Sequence, residues 1–206
     1  MDFYEYLKST FGANEPIFIS DIQFKSYSKP WIAKELAKLC ESGQLARFER
    51  GVYYVPTKTP FGKSILSPQK VIERKYISES GERFGFYSGL TAMNLFGLSM
   101  QVPNVTEICT NNETTKLRNV KVGNVNVILR RSRTEITSEN ADILSFLELM
   151  NQAPIGFFDD DKRETMSKWL KDKEITGKSI SQYAKIFPDK ALRNLVESGV
   201  IYDVAQ

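Results

Sequence analysis

The spacing of apolar residues predicts three helices near the start of the chain. Within residues 3–11 apolar side chains recur at helical intervals, and Gly12 ends this helix. The segment 20–23, Ser-Asp-Ile-Gln, matches a capping box and predicts the start of a second, very short helix. A third helix is predicted from Pro30, which suits a first helical position, to Ser42, with Gly43 as its left-handed cap.

A β-hairpin is predicted directly after the third helix. The stretches 44–48 and 52–55 are rich in β-formers, and Gly51 suits the turn between them. Helix, short helix, turn, longer helix and hairpin is the order of a winged helix-turn-helix, which predicts DNA binding by residues 1–60. The predicted DNA-contacting residues lie before or on the outer face of the third helix and on the hairpin: Tyr27, Ser28, Lys29, Trp31, Lys34, Lys38, Arg47 and Arg50.

A second domain is predicted over residues 71–206, after a turn-rich boundary at 57–70. Its pattern indicates helices at 71–80 and 90–96, the second capped by Ser88, a strand at 105–110 and a hairpin of 120–122 with 125–129. Helical spacing then returns in a tail at 141–150, 162–171, 180–187 and 191–197. The predicted fold class is therefore α+β, with an N-terminal winged helix-turn-helix and a mixed α/β C-terminal domain that ends in a helical tail.

Charge and composition narrow the classes of function. The chain has no histidine, which removes Ser-His-Asp and Cys-His catalysis and His-containing zinc sites. Residues 25–75 hold eleven basic and four acidic residues, a local net charge of +7 that favours phosphate binding, although lysines also occur as ordinary solvated residues of helix faces. Without a signal peptide or a long apolar run, we expect a cytoplasmic protein that does not span a membrane.

A second basic segment lies between residues 116 and 133, where no acidic residue interrupts it. It could contact DNA, RNA or a nucleotide, or it could be a solvated strand end whose residues alternate between the two faces of a sheet. Its members are Lys116, Arg118, Lys121, Arg130, Arg131 and Arg133.

No motif of an enzyme is evident. Asp159-Asp160-Asp161 could hold magnesium, but its place just before a predicted helix is explained by the helix dipole. No metal-ligand spacing, Walker loop or dinucleotide loop is found, so we expect no catalytic residue, no metal and no cofactor. Cys40 and Cys109 are expected to be free thiols.

Two segments resemble a known family. Residues 43–56 (GQLARFERGVYYVP) join a helix end to a short wing, and residues 86–98 (FYSGLTAMNLFGL) are followed by Pro103 and the strand 107–111. In this order they resemble the AbiEi family of bacterial antitoxins, over roughly residues 17–150.

The resemblance implies a type IV toxin-antitoxin system of abortive infection and phage resistance. Its N-terminal winged helix would repress its own operon by binding inverted repeats in promoter DNA. Its C-terminal domain would counteract a nucleotidyltransferase-like toxin without a stable complex. Two alternatives stay open: a plain winged-helix regulator with a ligand-sensing or dimerisation domain, and a carboxylate-metal enzyme acting on nucleic acid.

Overall fold

The computed structural model describes residues 1–204, an α+β chain that divides into two compact units. Unit 1 comprises Met1–Arg74 with Val122–Asn124, and unit 2 comprises Lys75–Lys121 and the chain from Val125 onward.

The segment predicted as a linker, 57–70, belongs to unit 1. It contains the short strands β4 (Lys58–Thr59) and β5 (Gly62–Lys63), which pair with each other. Hydrogen bonds hold this hairpin in place, because Asn14 Nδ2 donates to Thr57 Oγ1 over 2.9 Å and Lys63 Nζ donates to the Gly43 carbonyl over 2.7 Å. The amino-acid composition correctly indicated turns in segment 57–70. Its hydrogen bonds to Asn14 and Gly43 make it part of unit 1 and not a linker.

The first part of unit 1 contains two helices and a small antiparallel sheet. Its elements are α1 (Phe3–Phe11), β1 (Ile17–Phe18), α2 (Lys29–Glu41), β2 (Ala46–Glu49) and β3 (Val52–Tyr54). The strands lie in the order β1-β3-β2, so the first strand pairs with the last.

Helix α2 confirms the predicted third helix and its two faces. Ile32 and Leu36 are buried in the unit 1 core, whereas Lys34 and Lys38 are exposed on the opposite side. Gly43 follows the helix at φ +73°, a conformation that side-chain-bearing residues rarely adopt.

The predicted second helix is wrong. Only one turn of 3₁₀ helix forms, Ile19–Asp21, and the capping box at Ser20 is absent. The Ser20 hydroxyl donates to Asp21 Oδ1 instead, over 2.8 Å. The Ile19 amide donates to the Gly51 carbonyl over 2.9 Å, so this segment is tied to the β-hairpin where a helix would begin.

Helix α3 (Pro68–Tyr76) contains the division between the units, and a hairpin of β6 (Ser78–Glu79) and β7 (Glu82–Arg83) follows it.

Unit 2 is built on a four-stranded sheet. Its elements are β8 (Gly85–Ser88), α4 (Gly89–Leu95), β9 (Thr106–Thr110), β10 (Leu117–Val122) and β11 (Val125–Arg131). The strands lie in the order β10-β11-β9-β8, in which β9 and β11 run parallel and β8 is antiparallel to β9. Strand β8 was not predicted from the sequence.

The predicted helical tail is confirmed. It consists of α5 (Ala141–Gln152), α6 (Asp160–Asp172), α7 (Gly177–Ala184), α8 (Asp189–Glu197) and α9 (Val200–Asp203). Helix α5 is the centre of the unit 2 core, since Phe146, Leu147 and Met150 are fully buried.

Capping differs from the expectation in unit 2 as well. Ser88 precedes α4 but makes no side-chain capping bond, and Thr176 forms an unpredicted capping box with Ser179 before α7. A serine or threonine before a helix therefore does not by itself ensure that a capping bond forms.

Candidate functional site

Helix α2 carries two cations that nothing in the described chain neutralises, Lys29 at its first residue and Lys34 on its outer face. Lys29 and Lys34 are exposed and have no hydrogen-bond or ion-pair partner within residues 1–204. Lys38 differs, because its ammonium lies 2.5 Å from Glu35 Oε1 on the same helix. Lys29 and Lys34 are therefore the lysines of α2 that can reach phosphates without first breaking an ion pair.

Tyr27 and Trp31 belong to an aromatic cluster at the N-terminal end of α2. Their rings stack at 3.9 Å between centroids, and Trp31 also contacts Phe3 at 5.4 Å and Phe24 at 6.1 Å. Trp31 is half-buried, whereas Tyr27 is 45% exposed. Of the two predicted aromatic contacts, Tyr27 has the more accessible ring.

Two further residues lie in the turn before α2. Ser28 occupies the N-cap position, and its exposed side chain makes no capping bond, so its hydroxyl is accessible. Lys25, which the sequence did not single out, lies at φ +51° with its ammonium 4.9 Å from the Phe24 ring and 5.9 Å from the Tyr27 ring. Lys25 thus extends the cationic surface beside Tyr27.

The hairpin of β2 and β3 carries the two predicted arginines. Arg47 is exposed, and its Nε donates to the Glu49 carbonyl over 3.3 Å at an irregular step in the strand pairing. Arg50 lies in the turn beside Gly51, whose φ is +80°, and has no polar partner within residues 1–204. Arg50 is thus the more available of the two.

In unit 2 the basic segment 116–133 divides into paired and unpaired side chains. Acidic residues from elsewhere in the chain pair with three arginines: Arg118 with Glu113 at 2.7 Å, Arg130 with Glu107 at 2.9 Å, and Arg133 with Glu148 at 3.4 Å. No partner is found within residues 1–204 for Lys116, Lys121 or Arg131. Although no acidic residue lies between 116 and 133 in the sequence, the fold therefore brings acidic partners to three of the six basic residues.

Four of these cations surround one cavity of about 260 Å³, which we call the basic cavity. Strand pairing places Phe86, Cys109 and Arg130 in one row across the sheet, on one face, and helix α5 lies over this row. Arg118 and Lys121 do not line the cavity. Its wall consists of Phe86, Cys109, Lys116, Arg130, Arg131, Ser132, Arg133, Leu144, Glu148, Asn151, Gln152 and Phe187.

Glu148 organises the α5 side of the basic cavity. It is 7% exposed, and its Oε1 accepts hydrogen bonds from Asn151 at 3.1 Å and Gln152 at 2.9 Å. Its Oε2 accepts from Arg133 Nε, whose guanidinium also lies 5.2 Å from the Phe187 ring. Sequence reasoning missed Glu148, although a single acidic residue inside the apolar run 143–150 could have indicated a buried, paired charge.

The pKa values of Cys109 and Glu113 in unit 2 are shifted in opposite directions. Burial and, to a smaller extent, the Glu148 carboxylate raise the pKa of Cys109 to about 12, so this thiol stays protonated at neutral pH. Desolvation also opposes ionisation of Glu113, but hydrogen bonds from Thr115 and the Arg118 guanidinium outweigh it and lower the pKa of Glu113. Both cysteines are free.

Asp159 is a helix cap, which confirms the dipole interpretation of the acidic triplet. Its Oδ1 accepts from the Lys162 amide over 3.0 Å, and the Lys162 ammonium pairs with Oδ2. The hydrogen bond from the Lys162 side chain and then that from its amide lower the pKa of Asp159. Within the described chain no three Cys, Asp or Glu side chains are grouped as metal ligands would be.

None of the helices within residues 1–204 is both long and apolar enough to span a lipid bilayer. Compared with known proteins, the chain matches no family model and no curated protein.

Proposed function

We propose that the chain is a transcriptional autorepressor and antitoxin. Unit 1 acts as a winged helix-turn-helix that binds inverted repeats in its own promoter. Unit 2 counteracts a nucleotidyltransferase-like toxin without a stable complex. In this proposal the protein is a cytoplasmic binding protein and not an enzyme, with no metal or cofactor, of the AbiEi type that segments 43–56 and 86–98 resemble.

The observation that carries the DNA-binding part is the exposed cationic face of α2 together with the hairpin that follows it. The proposal is supported by the element order of unit 1 and by its sheet order β1-β3-β2, which fit a winged helix with the hairpin of β2 and β3 as the wing. One feature departs from that pattern, because the helix before the turn is reduced to the 3₁₀ turn Ile19–Asp21. Helix α2 thus serves as the recognition helix.

The charges of α2 define a quantitative expectation. Each phosphate that a lysine neutralises contributes about 0.9 to the slope of log Kobs against log salt concentration. Lys29 and Lys34 lack partners, so their removal should reduce the magnitude of that slope by about 1.8. Lys38 should contribute less, because DNA must compete with Glu35 for it.

The test is binding of the full chain to its own promoter DNA across a range of salt concentrations. Lys29→Ala with Lys34→Ala should weaken binding and flatten the slope. Lys8→Ala is the matched control, since Lys8 is an exposed lysine of unit 1 on helix α1. An unchanged slope in the double variant, with a normal thermal melt, would remove α2 from the interface.

The wing has a separate test. Arg47→Ala with Arg50→Ala should leave the protein folded and weaken DNA binding, because arginines on a wing contact the backbone or the adjacent minor groove. Arg50→Ala alone should account for most of the loss, since Arg47 already donates to a backbone carbonyl. Equal affinity of the double variant would contradict a role for the wing.

The antitoxin part is supported by the basic segment of unit 2 and by the resemblance. In cells that express the toxin, the full chain with Lys29→Ala and Lys34→Ala should lose repression and still protect growth. A chain with Arg130, Arg131 and Arg133 changed to Gln should repress normally and fail to protect. Loss of both activities in both variants would reject this division of labour.

A further inference from the structure

We infer that the basic cavity of unit 2 is a binding site for a small phosphate monoester with an apolar or planar body, of the size of a nucleoside monophosphate. This goes beyond the proposed function, because ligand binding by unit 2 requires neither promoter DNA nor a toxin.

The charge balance leaves a double positive charge at the cavity. Four cations line it, of which Arg130 is paired with Glu107 and Arg133 with Glu148. Lys116 and Arg131 have no partner within the described chain. A phosphate monoester carries about −1.5 to −2 at pH 7, which matches the two unpaired charges.

Strand β11 fixes the cationic side of the cavity, and helix α5 fixes the side that faces it. Arg130 is in register with Cys109 of the parallel strand β9, on the face that α5 covers. Arg131 is the next residue, in register with Thr110; it alternates to the opposite face at the end of β11 and still lines the cavity there. Helix α5 supplies Glu148 opposite them. Guanidinium groups at a strand end are held more closely in place than on a free loop, and such groups bind phosphate in a bidentate manner.

The contact between Arg133 and Glu148 is long enough for a ligand to replace it. Its Nε lies 3.4 Å from Glu148 Oε2, beyond the usual range for a charge-assisted hydrogen bond. The guanidinium stays positioned over the Phe187 ring at 5.2 Å. A phosphate can therefore take over donors of Arg133 while Glu148 remains bonded to Asn151 and Gln152.

Size and lining favour a small ligand over a nucleic-acid strand. The volume of about 260 Å³ lies just below the range of about 300–1,000 Å³ for pockets that hold drug-sized ligands. Phe86, Leu144 and Phe187 give the wall an apolar part beside its cationic part. These three side chains are only 1–6% exposed, so the apolar surface open to a ligand is small; the body of a nucleotide would contact it, whereas a bare inorganic anion would not.

The experiment is calorimetric titration of the full chain with 5′-AMP, inorganic phosphate and adenosine. AMP should bind best, phosphate more weakly and adenosine weakest, because both the charge and the apolar body contribute. Arg131→Gln and Lys116→Gln should each weaken AMP binding about tenfold, equivalent to 1.4 kcal/mol. Lys121→Gln is the matched control, since Lys121 is an unpaired lysine of the same basic segment outside the cavity wall.

A variant with the opposite effect makes the test sharper. Glu148→Gln removes the carboxylate that competes with the ligand for Arg133, so AMP should bind several-fold more tightly. No binding of AMP at about 1 mM, where the binding free energy is only about 4 kcal/mol, would overturn the proposal. Adenosine binding as tightly as AMP, or equal losses in Arg131→Gln and Lys121→Gln, would also overturn it. These titrations need no toxin or promoter. AMP binding can therefore be absent while repression and protection persist, and it can be present while they are absent.

Discussion

Replacing the Glu148 carboxylate should destabilise unit 2 in a graded way. Glu148→Gln keeps the size and one acceptor oxygen of the side chain. Glu148→Ala leaves the Asn151 and Gln152 amides without that acceptor and opens space beside α5. The free energy of unfolding should therefore fall in the order wild type, Gln, Ala.

The expected magnitudes follow from the contacts. The contact with Arg133 is long, at 3.4 Å, and the arginine side chain is 38% exposed, so its loss costs about 0.5 kcal/mol. In Glu148→Gln the hydrogen bonds from Asn151 and Gln152 lose their charged acceptor, but a neutral amide costs less free energy to bury than a carboxylate. Together with the loss of the Arg133 contact, the substitution should cost about 1 kcal/mol. In Glu148→Ala two half-buried donors lose their acceptor and buried methylene groups are removed, which brings the cost to about 3 kcal/mol.

Urea denaturation followed by tryptophan fluorescence can isolate unit 2, because its tryptophan, Trp169, is the only one besides Trp31 of unit 1. In a Trp31→Phe background the signal comes from Trp169, which contacts Phe96 with its ring centroid at 4.8 Å. Glu164→Gln is the control, since Glu164 is exposed on α6 of the same unit and its replacement should cost almost nothing.

The result that would refute this reasoning is equal stability of the wild type and both variants at Glu148. A Gln variant less stable than the Ala variant would also contradict it. Equal stability would mean that the carboxylate costs as much to bury as its three hydrogen bonds return, and the reversed order would mean that an amide is less well accommodated at this position than a methyl group.

Three further predictions concern local interactions. The pKa of Asp203 is about 2 in the folded chain against an ordinary 3.8, because Arg163 and Ser167 donate to it, so its stabilisation is complete above pH 3.8 and is lost as the pH falls through 2. Its side chain is 26% exposed, which reduces the linkage value of about 2.4 kcal/mol, so Asp203→Asn should cost about 1 kcal/mol at pH 7, and the cost should shrink in melts toward pH 2. Thr176→Ala should cost about 1 kcal/mol in urea denaturation, whereas Ser20→Ala should cost almost nothing, because only the threonine caps a helix. A thiol reagent at pH 7 should modify Cys40 before Cys109, and rapid labelling of Cys109 would contradict its burial.

The sequence by itself identified the elements whose information is local. Helix α2 follows from Pro30, the spacing of Ile32 and Leu36, and Gly43, because each acts within a few turns of the same helix. The helical tail and the Asp159 cap were equally predictable. In the same way, the cations of α2 and the wing could be named from the sequence as candidates, because outward-facing positions follow from the helical period.

Only the tertiary structure decided which local signals were used. Ser20 fits a capping box as well as Thr176 does, yet the bond from Ile19 to the Gly51 carbonyl ties the former segment to the hairpin. Strand β8 was missed because it is short and its pairing partner, β9, lies about twenty residues away.

The basic cavity shows the same limit at the level of the site. From the sequence, Arg130, Arg131 and Arg133 were equivalent members of one basic segment. Folding brings Glu107 and Glu148 to two of them and leaves Arg131 unpaired beside Lys116. Charge pairing depends on the distance between the charged groups in the folded chain. The parallel pairing of β9 with β11 and the packing of α5 set these distances, and the spacing of residues along the sequence does not encode them.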